Sequence, residues 1–455
     1  MVIEKNKEYK VKIIDNGYEG EGIAKIDNFT IFIKGAIKDE ICKIVITKVN
    51  KSFAFGKLLE IVESSKERVE SDCTTYKRCG GCSLRHIKYE ETLKIKQDMV
   101  QNLVDKNLSN KIKVNNVIGM ENPYYYRNKL QYPVGKNKDG VPVMGVFANR
   151  THEIIPVEEC LIQNREAEKL AKEVFDFVKK NDISIYNENT GKGAIRHIIV
   201  KIGIKTNELM CIVVTNEEDI KFEKDLVKDI VDKNPNVKTV IKNINSKNTN
   251  VILGEKNIVL YGDGYIYDKL GEYTFKISAR SFYQTNPIQT EKLYNKAIEY
   301  AKLTKEDILC DLYCGIGTIG IFASNKVKKV YGIEIVEEAV KAAKENAKIN
   351  NVDNIEFIAG DTKKAFKELI DDKKIKPTAI IVDPPRRGLD EETINKILEI
   401  EVKKLVYISC NPATMTRDIE MLQDKYVVNE IQPVDMFPFT SHVECCSLLE
   451  LRSCQ

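Results

Sequence analysis

Apolar positions fall into three successive regimes along the chain. Over residues 1–62 they alternate in short runs, at 9–14, 30–33 and 41–49, with a glycine-rich bend at Gly17, Gly20 and Gly22. Period-two alternation broken by turns predicts strands, and strands of this length and spacing suit a small closed β-barrel of the oligonucleotide-binding kind. Residues 63–85 lose the periodicity, which predicts a loop organised by something other than a core, and 88–106 regain the spacing of a helix. From 115 to 268 strands dominate, at 141–147, 194–204, 209–215 and 237–244, with one helix at 166–181, so residues 63–270 form an expected α+β central domain. Residues 271–455 then alternate helix and strand: helix 289–301, strand 307–312, strand 329–333, helix 337–350, and strands 354–359, 379–382 and 404–408 with helices between. Such alternation predicts right-handed βαβ units, hence an α/β domain whose parallel sheet carries helices on both faces.

Length and charge narrow this picture only a little. At 455 residues the chain is long enough for two to four domains of about 100 to 200 residues each. With 71 basic and 68 acidic side chains the net charge is +3, so any nucleic-acid surface must be local. Residues 1–12 alternate charged and apolar positions without the apolar stretch of a signal segment, and no apolar run reaches the length of a membrane span. A cytoplasmic, reducing location is therefore expected, with no membrane association. In that compartment the 12 cysteines point to metal binding or chemistry rather than disulfides. No apolar heptad suggests coiled-coil assembly, and no obligate protein partner is expected.

The strand ending Cys310-Asp311-Leu312-Tyr313 runs into Cys314-Gly315-Ile316-Gly317-Thr318-Ile319-Gly320, a G-x-G-x-x-G loop that opens a helix. Glycines there permit a tight turn and close approach to a ligand. Glu334 ends the next strand, where such folds hydrogen-bond ribose hydroxyls, and Asp361 ends the third, in place for an adenine edge. The set fits NAD as well as S-adenosylmethionine. Further along, Asp383-Pro384-Pro385-Arg386 closes the fourth strand, and Ser409-Cys410-Asn411-Pro412 closes the fifth, which puts a carboxylate and a thiol on one rim of the sheet.

Taken with Ser441-His442-Val443-Glu444, and with Ser281-Phe282-Tyr283-Gln284-Thr285-Asn286 and Tyr126-Arg127-Asn128-Lys129 upstream, these segments resemble the bacterial RNA uridine C5-methyltransferase family over nearly the whole chain. The one departure noted is Thr318, where some members have asparagine. The resemblance implies a Rossmann-like class I S-adenosylmethionine-dependent methyltransferase domain, preceded by a TRAM barrel over the first 62 residues. It implies donor contacts from Gln284, Tyr313, Gly315, Glu334, Asp361 and Asp383. It also assigns Cys410 as nucleophile and Glu444 as base. The chemistry explains that pair. Carbon 5 of uracil becomes nucleophilic only after a thiolate adds to carbon 6, and its proton must then leave so that the thiolate can be eliminated. His442 competes for the base role but more naturally orients the loop; Cys445 and Cys446 read as packing residues.

Cys73, Cys79 and Cys82, with Cys160 downstream, form a thiolate set that suits tetrahedral zinc or an iron-sulfur cubane, and His86 could replace Cys160 in a zinc site. Spacing alone leaves the two open; the resemblance implies a [4Fe-4S] cluster. For RNA contact the candidates are the barrel lysines Lys12, Lys25, Lys34, Lys48 and Lys51, and Tyr124, Tyr125 and Tyr126 beside Arg127 and Lys129. The target uridine must be single-stranded or flipped out to reach a crevice thiol. Within the family, members with both barrel and cysteine cluster act on 23S ribosomal RNA, so a 23S loop is the expected substrate and a transfer-RNA T-loop the alternative. Three rivals are weaker. An NAD oxidoreductase leaves the Cys410 and Glu444 segments unexplained, an exocyclic-amine methyltransferase needs no covalent cysteine, and a non-enzymatic RNA-binding module leaves the last domain without a role.

Overall fold

The computed structural model describes residues 3–149 and 151–452; the outermost positions of the expected first and last domains, 1–2 and 453–455, lie outside the described residues. Strands β1 (Glu8–Asn16), β2 (Gly22–Ile26), β3 (Phe29–Lys34), β4 (Ile41–Val49) and β5 (Phe53–Glu63) close into a barrel in the order β1-β2-β3-β5-β4. Alternate residues point inward, so Val11, Ile13, Ile31, Ile33, Ile44 and Ile46 fill the interior while Lys12, Lys25, Lys34, Lys48 and Lys51 stay exposed. The longest of these strands, β5, is absent from the pattern reading. Its only buried residues are Ala54 and Gly56, too small to produce an apolar rhythm.

Helix α1 (Tyr89–Asn107) and the short β6 (Lys113–Val114) come next. A seven-stranded sheet follows, built from β7 (Lys129–Lys136), β8 (Pro142–Phe147), β9 (Ile154–Pro156), β10 (Ile195–Ile202), β11 (Leu209–Thr215), β12 (Val237–Ile244) and β13 (Lys256–Gly262), in the order β13-β12-β11-β10-β7-β8-β9. Helices α2 (Arg165–Lys180) and α3 (Glu223–Lys233) belong to this unit, and α2 begins on the Asn164 side chain, which accepts from the amides of Glu166 and Ala167. Leu170, Val174 and Val178 of α2 pack against Ile198 and Val200 of β10. A hairpin of β14 (Tyr265–Leu270) and β15 (Tyr273–Ser278) leads onward.

The last unit contains α4 (Pro287–Ala301), β16 (Ile308–Leu312), α5 (Thr318–Ala323), β17 (Lys329–Glu334), α6 (Glu337–Ile349), β18 (Ile355–Ala359), α7 (Thr362–Asp371), β19 (Ala379–Val382), α8 (Glu391–Ile400), β20 (Lys404–Ser409), α9 (Pro412–Leu422), β21 (Tyr426–Val434) and β22 (Glu444–Leu451). Its sheet runs β18-β17-β16-β19-β20-β22-β21-β6. The first five strands are parallel, and β19 and β20 are almost wholly buried because helices cover both faces. The expected all-parallel sheet fails at its far edge. There β22 runs antiparallel to both β20 and β21, since the segment joining β21 to β22 has no crossover helix to carry the chain back.

Helix α1 fastens the molecule together. Its Val100 and Val104 share an apolar cluster with Met415, Ile419 and Ile431 of the last unit. Beside them Lys96, fully buried, donates from Nζ to Asp435 Oδ1 at 2.5 Å and to the carbonyl of Phe437 at 3.1 Å. The Tyr89 hydroxyl donates to Asp435 Oδ2 at 2.7 Å, so both carboxylate oxygens are satisfied. Burial pulls the Lys96 ammonium below its ordinary pKa, and Asp435 opposes that pull. Lys96→Met leaves a buried, unpaired carboxylate and should cost about 3 to 5 kcal/mol in urea unfolding followed by tyrosine fluorescence; Lys96→Met with Asp435→Leu should recover most of it. A single variant of unchanged stability would mean that the pair is no fastener.

Candidate active site

The strand order reverses between β16 and β19, and in open α/β sheets the ligand crevice lies at the carboxyl ends of such a pair. On the β16 side the glycine loop is held by two carboxylates. Asp311 is buried, and its Oδ2 accepts from the amide of Gly320 at 2.8 Å; burial pushes its carboxyl up to about 7. Glu334 accepts from Gly315 N at 3.1 Å and from Val336 N at 2.9 Å. The glycines then divide the work. A Cβ on Gly317, at φ 82°, would lie 2.6 Å from Phe357, whereas a Cβ on Gly315 would meet nothing within 4 Å. Gly317 therefore packs the loop down, and Gly315 presents open backbone to the crevice.

Asp361 follows β18 at the start of α7 without capping it, and its Oδ1 is buried with no hydrogen-bond partner. An orphaned buried acceptor of this kind needs a donor from outside the protein. Tyr313 sits at φ 67° and turns its ring toward the apolar cluster containing Leu312 and Ile394, so what it offers the crevice is backbone. The segment carrying Gln284 is held in a way that links the two upstream motifs. The Asn128 side chain donates to the Gln284 carbonyl at 2.9 Å and its amide to Thr285 O at 3.0 Å, while Asn286 Nδ2 donates to Met436 O. One motif thus positions the other.

On the β19 and β20 side, antiparallel register sets the chemistry. Ser409 pairs with Cys445, which places Cys410, one residue on, across from Glu444. Asn411 holds the turn: its Oδ1 accepts from Ala413 N at 3.2 Å at the head of α9, and its Nδ2 donates to Arg386 O at 2.9 Å. Glu444 is 3 % exposed, and burial first, then the charge of Asp383, push its carboxyl up to about 8; Arg386 opposes them. The Cys410 thiol is pushed up to about 11 by burial, then by Glu444 and Asp383, again against Arg386. Asp383 itself is raised to about 7 by burial. The three acidic groups share one poorly solvated corner: Cys410 senses Glu444 and Asp383, Glu444 senses Asp383, and Arg386 is the cation that Cys410 and Glu444 both register.

Of the expected residues, Cys410, Glu444 and Asp383 come together, and Gly315, Tyr313, Glu334 and Asp361 line the same edge. His442 sits exposed on the rim, held below its ordinary pKa by what burial it has and by Arg386 and Lys96. Cys445 and Cys446 are fully buried. The stacking role expected of three tyrosines is corrected for Tyr126: it is 3 % exposed and its hydroxyl is spent on Pro438 O, so its ring cannot receive a base. Tyr124 packs on Phe439 and Arg85, and Tyr125 carries the Arg165 guanidinium 4.1 Å above its ring. Sequence reasoning gave Arg386 no role and missed Tyr18, whose hydroxyl donates to Asn411 Oδ1 at 3.2 Å from 393 residues away. The glycine bend around Tyr18 was its only signal.

Cys82 senses the charge of Cys160, Cys79 and Cys73, and Gly81 N donates to Cys79 Sγ at 3.2 Å. Among the described residues no three His, Cys, Asp or Glu side chains are grouped so as to hold a metal ion. His86 gives its Nδ1 to the Tyr76 hydroxyl, and its Nε2 has no hydrogen-bond partner.

With Cys410 held up to about 11, iodoacetamide should label it slowly at pH 7 and progressively faster toward pH 10. Asp383→Asn removes a like charge and should speed labelling at pH 8; a rate that is flat with pH and indifferent to Asp383, read by mass spectrometry, would contradict this electrostatic reading.

Residues 88–452 match the family model described as tRNA (uracil-5-)-methyltransferase, and residues 4–59 match the TRAM domain. The chain is 46% identical over 453 residues to a protein of Clostridium acetobutylicum named an uncharacterized RNA methyltransferase, covering 98% of both. A Staphylococcus aureus protein named in the same way is 46% identical over 453 residues, covering 99% of both. Among solved structures, the Pyrococcus abyssi tRNA (uracil-54, C5)-methyltransferase in complex with S-adenosyl-L-homocysteine superimposes with a TM-score of 0.77 at 25% identity, covering 97% of this chain and 100% of that one. No helix among the described residues is long and apolar enough to cross a membrane. A crevice that pairs a glycine loop with a thiol facing a buried carboxyl, and a match along nearly the whole length, agree: the chain belongs to the tRNA (uracil-5-)-methyltransferase family and carries a TRAM domain.

Proposed function

We propose that this chain methylates carbon 5 of a uridine in RNA with S-adenosylmethionine as donor, and that the RNA is 23S ribosomal RNA. The observation that carries the reading is Cys410 facing Glu444 across β20 and β22. Cys410 Sγ bonds to carbon 6 of the uracil, and the electron pair released at carbon 5 takes the methyl group. Glu444 then accepts the carbon 5 proton, carbon 5 and carbon 6 regain their double bond, and the sulfur leaves as thiolate. A carboxyl raised to about 8 is a stronger base, once ionised, than an ordinary one, which suits removal of a carbon-bound proton.

The donor fits the crevice. Asp361 Oδ1 lacks the partner that an adenine amino group would supply, and Gly315 leaves its backbone open. Bound there, the donor supplies an activated methyl group and a sulfonium charge. Glu334 would receive ribose hydroxyls, Gln284 and Tyr313 would border the donor, and Asp383 would face either its ammonium or the uracil edge. That positive charge, brought beside Asp383 and Cys410, would favour the thiolate that burial disfavours.

The ribosomal substrate rests on the family pattern of barrel plus cysteine cluster. A transfer-RNA uridine is the second reading, favoured by the Pyrococcus abyssi structure, whose named substrate is tRNA and which matches along its whole length. Trapping separates them: RNA carrying 5-fluorouridine cannot release a proton from carbon 5, so 23S RNA should accumulate a methylated adduct on Cys410 and a transfer RNA should not. Cys410→Ala should form none, and Glu444→Gln should accumulate the same adduct with ordinary uridine. An adduct with transfer RNA alone reverses the choice of substrate; none with either removes the nucleophile.

Cys73, Cys79, Cys82 and Cys160 would hold a [4Fe-4S] cluster. Their convergence from two distant segments and the amide donated to Cys79 Sγ support it, as sulfur-only donors with backbone hydrogen bonds are what such clusters use. A cluster there supplies cross-links between the 73–82 loop and residue 160 and no electron to the methyl transfer. Anaerobically purified protein should contain about four irons and four sulfides per chain, and Cys82→Ser should lose both and melt at lower temperature. Stoichiometric zinc without sulfide would overturn the assignment.

A further inference from the structure

We propose that the ring of Tyr18, carried on the barrel's β1–β2 hairpin, is a stacking platform for the RNA base that flanks the uridine engaged by Cys410. The proposal rests on the nucleophile reading above and adds to it a role for the barrel within the active site.

Position comes first. The Tyr18 hydroxyl donates to Asn411 Oδ1, the residue after Cys410, and this side chain is also the one that caps α9 and ties the turn to Arg386. Glu19, the next residue of the hairpin, is near enough to His442 for its charge to be felt there. The barrel therefore forms part of the rim.

Rigidity comes second. Gly17 N bonds to Glu21 O at 2.6 Å and Gly20 N to Gly17 O at 3.0 Å, which closes the hairpin on itself. Gly20, at φ 83°, lies so close to Leu84 that a Cβ would stand 2.5 Å from the Leu84 side chain, and Leu84 N in turn bonds to Phe439 O in the segment leading to Glu444. The ring is thus delivered on a braced loop. Its edge is pinned by the hydroxyl while the residue remains 47% exposed, so a face is left for a ligand.

Chemistry comes third. A uridine drawn out of its stack leaves its neighbour with an uncovered face, and an aromatic ring at the mouth of the pocket replaces that lost contact without reading sequence. Arg386, exposed on the same rim and close enough to influence Tyr18, adds a cation for the phosphate between the two nucleotides.

Tyr18→Ala should raise the KM for RNA by roughly 5- to 100-fold, the span of a lost base–aromatic stack, and change kcat at saturating RNA by less than about threefold. S-adenosylmethionine affinity by calorimetry and the melting temperature should stay at wild-type values. Tyr18→Phe, which keeps the ring and loses the hydroxyl, should stay within about threefold of wild type in KM. An unchanged KM in Tyr18→Ala overturns the proposal, and so does a Tyr18→Phe variant as impaired as Tyr18→Ala, since the hydroxyl would then be acting as a latch on Asn411. The wild-type 5-fluorouridine adduct serves as the separate control: its absence defeats the nucleophile reading, whereas its presence with an indifferent Tyr18→Ala defeats only this inference.

Discussion

The arrangement of the active site depends on one buried ion pair. Asp435 follows β21 and begins the segment that returns through Phe439 and His442 to Glu444, so whatever fixes Asp435 fixes the approach of Glu444. Lys96 does so from a helix that precedes the whole central sheet in sequence, with help from Tyr89. Neither charge has water to fall back on. Such a pair adds little to net stability compared with apolar packing, but it tolerates only one geometry, because any displacement strands two charges in a low dielectric. Around it other bonds converge on the same stretch: Asn286 to Met436 O, Tyr126 to Pro438 O, and Ser83 and Leu84 to Phe439 O. The central unit, the cysteine-rich loop and α1 all grip the segment that leads to Glu444.

That grip accounts for the electrostatics of the pocket. Burial at one strand edge raises Cys410, Glu444 and Asp383 alike, and like charge nearby adds to the rise for Cys410 and Glu444. A thiol held mostly protonated by burial and neighbouring acids is protected from oxidation and stray alkylation. A cation brought in by a ligand reverses the balance, since in a poorly solvated corner one added positive charge acts on every acid at once. Reactivity of the thiol would then follow occupancy of the crevice.

The barrel, the cysteine loop and the catalytic sheet meet at the rim of this pocket through small, specific contacts: Tyr18 on Asn411, Gly20 on Leu84, and Leu84 on Phe439. The rim of the crevice is therefore assembled from segments nearly four hundred residues apart in sequence.

By itself the sequence determined the local devices. The strand-loop-helix of residues 308–320, the carboxylates Glu334 and Asp361 at strand ends, and the Asp383 and Cys410 turns are short-range patterns, and period and turn chemistry make them legible. Strand β5 escaped because small residues face its core, and the antiparallel β22 escaped because strand direction is set by how the chain returns, which no local pattern records. The thiol opposite the carboxyl could be guessed from motifs, yet its cause is a register between β20 and β22. Lys96 with Asp435 had no signal, and Tyr18 with Asn411 had none beyond the glycine bend around Tyr18. Each is one polar residue whose partner lies hundreds of positions away, and only packing in three dimensions, which excludes water from one pair and leaves the other at a rim, decides what such residues do.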